Sequence, residues 1–225
     1  AEHLVAGFEQ WFGRHTSLAV EGYFKTFDQL AIRDPFDDPK VQGDEFTVGD
    51  GDARGFDVLL RRHLGQVQGW IAYSYGEATR RTPTDTFPPG HDRRHSVDLV
   101  LEAPGPLGSR VGARWGYGSP LPYTGIAGAW LHREYNPVLH AFDEFEEESF
   151  STGINGQRFP HYSRLDVSLR WEFHKWGGIW RPYVQVVNAY NRQNVFVYRH
   201  DYRAVPPTRS GLSQLPILPT LGVEF

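Results

Sequence analysis

The segment HDRRH places His91 and His95 four residues apart, with Asp92 beside His91. On a helix that spacing puts both rings on one face, as a metal site needs. The residues that follow, SVDLVLEA, alternate apolar and polar instead. On a strand, positions i and i+4 lie about 13 Å apart, too far for convergent ligands. These residues are therefore expected to be polar groups at a strand mouth. A second cluster, HREYNPVLHAFDEFEEES, carries His132, His140, Asp143, Glu144, Glu146, Glu147 and Glu148. Acidic runs are usually solvated. If this one binds a ligand, His132, His140, Glu146 and Glu147 are the candidate contacts for a cation or cationic cargo. DDPKVQGDEFTVGDGD has the residue types of a calcium loop, but its spacing does not fit the helix–loop–helix pattern. In NAYNRQN, Asn188, Asn191 and Asn194 fall at three-residue intervals. On a strand they alternate faces, so the expectation is no shared cluster but bonds to backbone near a bulge or strand end. Serines, histidines and acids are present without a nucleophile elbow. The reading is of a chain without catalytic residues, metal ligands or cofactor, and so not an enzyme.

The elements that must position these groups follow a period of two. In DVSLRWEFH, Val167, Leu169, Trp171 and Phe173 point one way, and Asp166, Ser168, Arg170, Glu172 and His174 the other. RVGARWGY, HSVDLVLEA, RGFDVLLRR and SLAVEGYFK repeat the pattern. Nine strands are expected, at roughly 3–13, 16–33, 53–64, 66–80, 94–104, 108–120, 163–175, 179–199 and 213–225. No helical period of more than two turns is present. The polar sides hold Arg61, Arg114, Asp166, Arg170 and Glu172, candidates to face a wet lumen. Their arginines are expected to pair across strands with Glu21, Asp98, Asp166 and Glu172.

The connections alternate. Short ones fall at Gly13–His15, Gly65, PGPLGS and HKWGG; long ones at about 34–52, 81–93, 121–162 and 200–212. Barrels of the bacterial outer membrane have short periplasmic turns and long outer loops. Lipid cannot satisfy backbone groups, so strands that cross it must close into a barrel. No run of apolar residues is long enough for a membrane helix. The mean hydropathy of −0.49 is no objection, because barrel strands show lipid and lumen alternate residues. Aromatics make up 15% of the 225 residues. Tyr75, Tyr117, Trp176, Trp180, Tyr183 and Tyr198 lie near strand ends, where interfacial girdles form. There is no cysteine, which excludes disulfides and thiolate metal sites, and the scattered net charge of −4 argues against a nucleic-acid partner. The competing architecture is a soluble sandwich or small lipocalin-like barrel. With the last strand ending in the periplasm, the first of nine begins outside, so strands are expected upstream.

RFPHYSRLDVSLRWEF, then WRPYVQVVNAYNRQNVFVY, then QLPILPTLGVEF resembles the C-terminal end of TonB-dependent outer-membrane receptors. SLAVEGYFKTFDQL, GDGDARGFDVLLRR, WIAYSYGEA with HDRRHSVDLVL, and YGSPLPYTG are similar to earlier strands and turns of the same family, in the same order. The resemblance covers nearly the whole chain. It implies an all-β, antiparallel transmembrane barrel segment, about nine strands of a barrel of about 22. Residues 1–225 are then the C-terminal part, with the plug domain, the TonB contact and the upstream strands outside this sequence. It implies a bacterial outer-membrane location and uptake of a scarce nutrient: an iron–siderophore, cobalamin or an oligomeric nutrient. It also implies that Leu221, Val223 and Phe225 are the signal read by the barrel-assembly machinery, since an amphipathic edge strand pairs readily with another sheet edge. Expected partners are outer-membrane lipid, that machinery, TonB through the plug, and a further chain if the barrel is split. One chain of a split barrel is the alternative function; a small outer-membrane enzyme is a third.

Overall fold

The computed structural model describes residues 1–33, 43, 45–133, 135–142, 146–201, 204 and 208–225; for 130–132 and 146–149 only the backbone is described. Nine wall strands run in sequence order: β1 (Glu2–Phe12), β2 (Thr16–Arg33), β3 (Phe46–Leu64), β4 (Val67–Arg81), β5 (His95–Pro104), β6 (Arg110–Gly118), β7 (Tyr162–Arg170), β8 (Gly178–Val187) and β9 (Leu218–Glu224). Each pairs antiparallel with the next, giving a single up-and-down sheet. The sheet does not close. Its edges are β1 and β9, and neither has an outer partner among the described residues.

Register sorts the side chains into two faces. Across the wall, Phe8, Val20, Val58, Tyr73, Val97 and Tyr117 stand in one row. The next row of that face runs Leu18, Leu60, Ile71, Leu99, Trp115 and Leu165. The opposite face carries Glu21, Asp57, Ser74, Ser96 and Gly118 in one row. Among the described residues nothing packs on the apolar face. Leu4, Phe8, Leu60, Ile71, Leu99, Leu101 and Leu221 are all exposed, and the buried apolar residues are Ile32 and Phe87. The accessible surface is 15805 Å². A compact globule of this mass exposes about 10,400 Å². The chain is thus one layer, without the two-layer core of a sandwich.

The two ends of the wall differ. At one end the turns are short, and Trp176 (φ 53) with Gly177 (φ 74) makes the mirror-image turn that suits a tight hairpin. There Trp180 lies 5.6 Å from Trp176 and 5.8 Å from Phe225, ring to ring. At the other end Tyr75 packs on Phe56 and His95 at 5.7 and 5.4 Å on the same face. Above that level charged pairs replace apolar residues on this face, with Arg54 bound to Glu77 at 2.8 Å and Arg81 to Asp52. Two expected girdle residues sit elsewhere. Tyr183 is opposite Gly222 on the polar face, and Tyr198 belongs to an outer hairpin.

The outer connections are not structureless. Residues 122–158 rise as a ribbon in which Pro122–Tyr123 pairs with Gln157–Arg158 and Ile126–His132 with Glu146–Ser151. Val195–Asp201 pairs with Thr208–Ser213 in a second hairpin. The strand expected at 179–199 is therefore two strands. It breaks at Asn188 and Asn191, which adopt left-handed φ of 53° and 51°. The strand expected at 163–175 is interrupted at Trp171 and Glu172, opposite Pro182, which has no N–H to give, and resumes as Phe173–Lys175 paired with Gly178–Trp180. β3 starts at Phe46, seven residues before the expected Ala53, because Gly49 and Gly51 continue the strand. Their bareness admits Ile32 and Leu30 from β2, after a bulge with Gln29 at φ 56 reverses which face those residues take.

Candidate functional site

The polar face is hollowed where β2, β3 and β4 approach the outer ribbons. Tyr23, Lys25 and Phe27 come from β2, Gly76 and Ala78 from β4, and His91 and Arg93 from the connection after β4. Tyr23 lies flat because its register neighbour Gly55 and the next residue in that row, Gly76, have no side chain. A Cβ on Gly55 would stand 2.6 Å from the Tyr23 hydroxyl. The Lys25 ammonium sits 5.0 Å from the Tyr23 ring, and the Arg93 guanidinium 5.7 Å from the Tyr162 ring. Both are attractive cation–ring contacts that leave the charge uncancelled.

The carboxylates around this hollow are already engaged. Glu77 and Asp52 project to the opposite face, where Glu77 takes Arg54 at 2.8 Å and Arg94 at 3.2 Å and Asp52 takes Arg81. The Asp92 side chain is fully buried and accepts from the Ala78 N–H at 3.0 Å, Arg94 at 3.3 Å and Arg158 at 3.0 Å. Arg158 also donates to the Pro120 carbonyl at 2.8 Å. Asp92 thereby ties the connection after β4 to the base of the 122–158 ribbon. Lys25 and Arg93 make no ion pair among the described residues. The hollow is cationic and aromatic, a combination that suits an anion with flat or apolar parts.

The expected polar residues divide. Arg61, Arg114, Asp166 and Arg170 share the polar face by register. Arg114 binds Asp98 at 3.1 Å, and Arg170 reaches Glu224 at 3.9 Å. Asp166 goes to Arg164 at 2.8 Å and accepts the Asn188 N–H at 2.9 Å, so it is a buried acceptor and not an open charge. Glu172 pairs with Arg181 at 2.9 Å. Arg61, Glu21 and Asp57 make no ion pair among the described residues, although Glu21 and Asp57 face each other across the ladder. The expected Arg61 partner is absent for want of an acid beside it: its register neighbours are Ser17 and Trp70.

The loop candidates are scattered. His132 is opposite Glu146 in the outer ribbon and Glu147 is opposite Leu131, with the side chains themselves outside the description. His140 sits in the ribbon's turn, its Nδ1 3.4 Å from the Tyr135 hydroxyl. Asp143 and Glu144 lie outside the described residues, as do 37–42 and Asp44 of the calcium-like segment. His95 contacts Tyr73 at 2.9 Å, on the other side of the wall from the hollow. The three asparagines do form one cluster, contrary to the strand-based expectation. The fully buried Asn188 donates to the Arg192 and Leu215 carbonyls and accepts from the Arg192 N–H, all at 3.0 Å. Asn194 exchanges two bonds with the Ser163 backbone, at 3.0 and 2.9 Å, and Asn191 accepts from the Ile217 N–H at 2.9 Å. This knot joins the outer ends of β7, β8 and β9. Leu221 and Val223 lie on the apolar face of β9, opposite Val184 and Pro182, and Phe225 follows at the free end.

Lys25, Arg93 and Arg158 were not singled out from the sequence, and Asp92 was named there only as a polar group at a strand mouth. The Tyr-x-Lys of β2, set against Gly55 and Gly76, is the one signal there that marks the hollow.

No protein-family model and no curated protein matches the sequence. Solved structures do match. The ferripyoverdine receptor of the Pseudomonas aeruginosa outer membrane, bound to ferripyoverdine, is similar over 85% of this chain and 23% of its own, at 12% identity and a TM-score of 0.52. The receptor in the FpvAI–pyocin S2 complex is similar over 98% and 27%, at 12% identity and TM-score 0.56. The FrpB iron transporter from Neisseria meningitidis (F3-3 variant) is similar over 98% and 30%, at 12% identity and TM-score 0.57. The chain spans about a quarter of the length of these proteins. It has the fold of a stretch of outer-membrane receptor barrel wall.

Proposed function

We propose that this chain is the C-terminal part of a TonB-dependent receptor of the bacterial outer membrane, and that the whole protein takes up a scarce anionic nutrient, an iron chelate being the favoured cargo. The observation that carries this is the single-layer wall, apolar on one face and hollowed, polar and cationic on the other. Lipid would cover the apolar face, and the remaining strands would close the barrel between β1 and β9. Cargo would enter among the outer ribbons and meet Lys25 and Arg93, while Arg61, Arg114 and Arg170 would face the lumen. The likeness to a ferripyoverdine receptor and an iron transporter supports iron among the candidate nutrients. The charges left without partners on the polar face, Glu21 and Asp57 among them, support a lumen that holds a plug, through which TonB would act.

The test is uptake of labelled iron chelates by cells that carry or lack the native protein, together with Lys25→Glu and Arg93→Glu variants. The reading expects uptake that depends on the protein and falls at least several-fold in each variant at unchanged membrane levels. Uptake indifferent to the protein would sink it. The free edges also favour a second reading, in which a separate chain supplies the missing strands. The denatured mass of the native polypeptide separates the two: several-fold above 25.7 kDa for one long chain, near that value for a split barrel.

A further inference from the structure

Two outer elements that share no ladder meet through side chains. Tyr123, at the foot of the 122–158 ribbon, stacks on Phe159 with ring centres 4.3 Å apart, and Tyr198 of the Val195–Asp201 strand lies 5.4 Å from each of them. The partner of that strand, Thr208–Ser213, brings Arg209. The Arg209 guanidinium sits 4.3 Å from the Tyr198 ring and donates to the Tyr123 hydroxyl at 3.2 Å. That hydroxyl donates in turn to Gln157 Oε1 at 2.7 Å. A second set of contacts holds the ribbon to the connection after β4. Arg158 takes the buried Asp92 at 3.0 Å, and Asn155 Nδ2 donates to the Pro88 carbonyl at 2.8 Å.

We propose that the connection after β4, the 122–158 ribbon and the hairpin of Val195–Asp201 with Thr208–Ser213 form one cap that is assembled before cargo arrives, with Tyr198 and Arg209 as the positioning residues that join ribbon to hairpin. A two-stranded ribbon alone is marginal in water, and among the described residues these two ladder only within themselves. Without a joint, each would swing on its own. Three rings in mutual contact supply direction as well as area, because aromatic pairs favour particular orientations. The guanidinium closes the stack as a cation over a ring. The Tyr123 hydroxyl accepts and donates at once, and bonds chained in this way strengthen one another. The other joint is built differently, on a buried carboxylate. Arg93 follows Asp92 directly in the chain, so the cap also sets where one cation of the hollow stands. Its bearing on cargo rests on the reading of these connections as the mouth, but its assembly needs neither cargo nor uptake.

The experiment uses the full native protein, free of cargo, with spin labels on pairs of introduced cysteines and their separation read by pulsed electron resonance. Any cysteine elsewhere in the polypeptide is replaced by serine. Thr86→Cys with Ser151→Cys spans the connection and the ribbon; Ser151→Cys with Ser210→Cys spans the ribbon and the hairpin. Both pairs should give one narrow distance distribution. Tyr198→Ala should broaden the Ser151–Ser210 distribution several-fold and leave the Thr86–Ser151 one narrow. Arg158→Gln should do the reverse. If Tyr198→Ala does not assemble, Arg209→Gln, which keeps the three rings, takes its place. A broad distribution in the parent protein, or widths indifferent to these substitutions, overturns the proposal. The labels report on the cap alone, so narrow distributions beside uptake that ignores the protein would sink the cargo reading and leave the cap standing.

Discussion

Asp92 shows how much one buried carboxylate can organise. Its partners come from β4, from its own connection and from the 122–158 ribbon. Removing one partner of a buried charged pair typically costs about 3–5 kcal/mol. Asp92→Asn keeps the shape and one acceptor but removes the charge shared by two guanidiniums, leaving Arg94 to Glu77 and Arg158 to the Pro120 carbonyl. The expected outcome is an assembled barrel whose two outer connections are cut faster in limited proteolysis, while the wall stays resistant. Asn188 is the second such residue. Asn188→Ala leaves two carbonyls and one N–H without partners in a fully buried spot, at about 1–3 kcal/mol for each group that water does not reach. The temperature at which the folded protein loses its fast electrophoretic mobility should drop. Neither role was legible in the sequence. Asp92 reads as one more polar residue in HDRRH, and its burial depends on Arg158, sixty-six residues away in the chain.

At the scale of elements, the strands were legible wherever one face is apolar and the other is not. Alternation fixes which residues share a face, and β1, β2, β4, β5 and β6 begin and end close to the expected positions. What escaped was decided by backbone conformation and partner residues. The Asn188–Asn194 break is invisible to alternation because the side chains replace the ladder bonds they interrupt. The early start of β3 was hidden in a Gly-rich stretch whose purpose is to admit Ile32 and Leu30. Among the described residues the outer ribbons form ladders only within themselves, so no wall register imposes a pattern on them. β9 bears the clearest element-level prediction. Its outer edge is unpaired among the described residues, and Leu221, Val223 and Phe225 are 85%, 52% and 94% exposed. If they form the assembly signal, deleting Phe225 or making Val223→Asp in the native protein should lower its assembled level several-fold with synthesis unchanged. Substituting Val5→Asp on β1 should not.

For the whole molecule, the surface excess of the single layer sets the test. The sequence has no cysteine, so single cysteines report cleanly. Those placed at Ser74, Ala53 or Ala19 should react with a water-soluble maleimide in intact outer membranes. Those at Leu60, Ile71 or Leu99 should react only with a lipid-soluble one. The opposite pattern would reverse the two faces and overturn the membrane reading. The order of the wall carries a kinetic meaning as well. Every ladder from β1 to β9 joins consecutive wall strands, and loop-closure cost grows only slowly with length, so the wall can grow strand by strand even across the long outer connections before β7 and β9. The join that β9 would make across the seam is different in kind. If the proposed barrel closes there, that join would bring together residues far apart in the chain, with no short turn to hold them. Such distant pairings are the slow ones. The rate at which this protein matures should therefore be set at that seam, and an assembly factor that grips β9 would act where the delay lies.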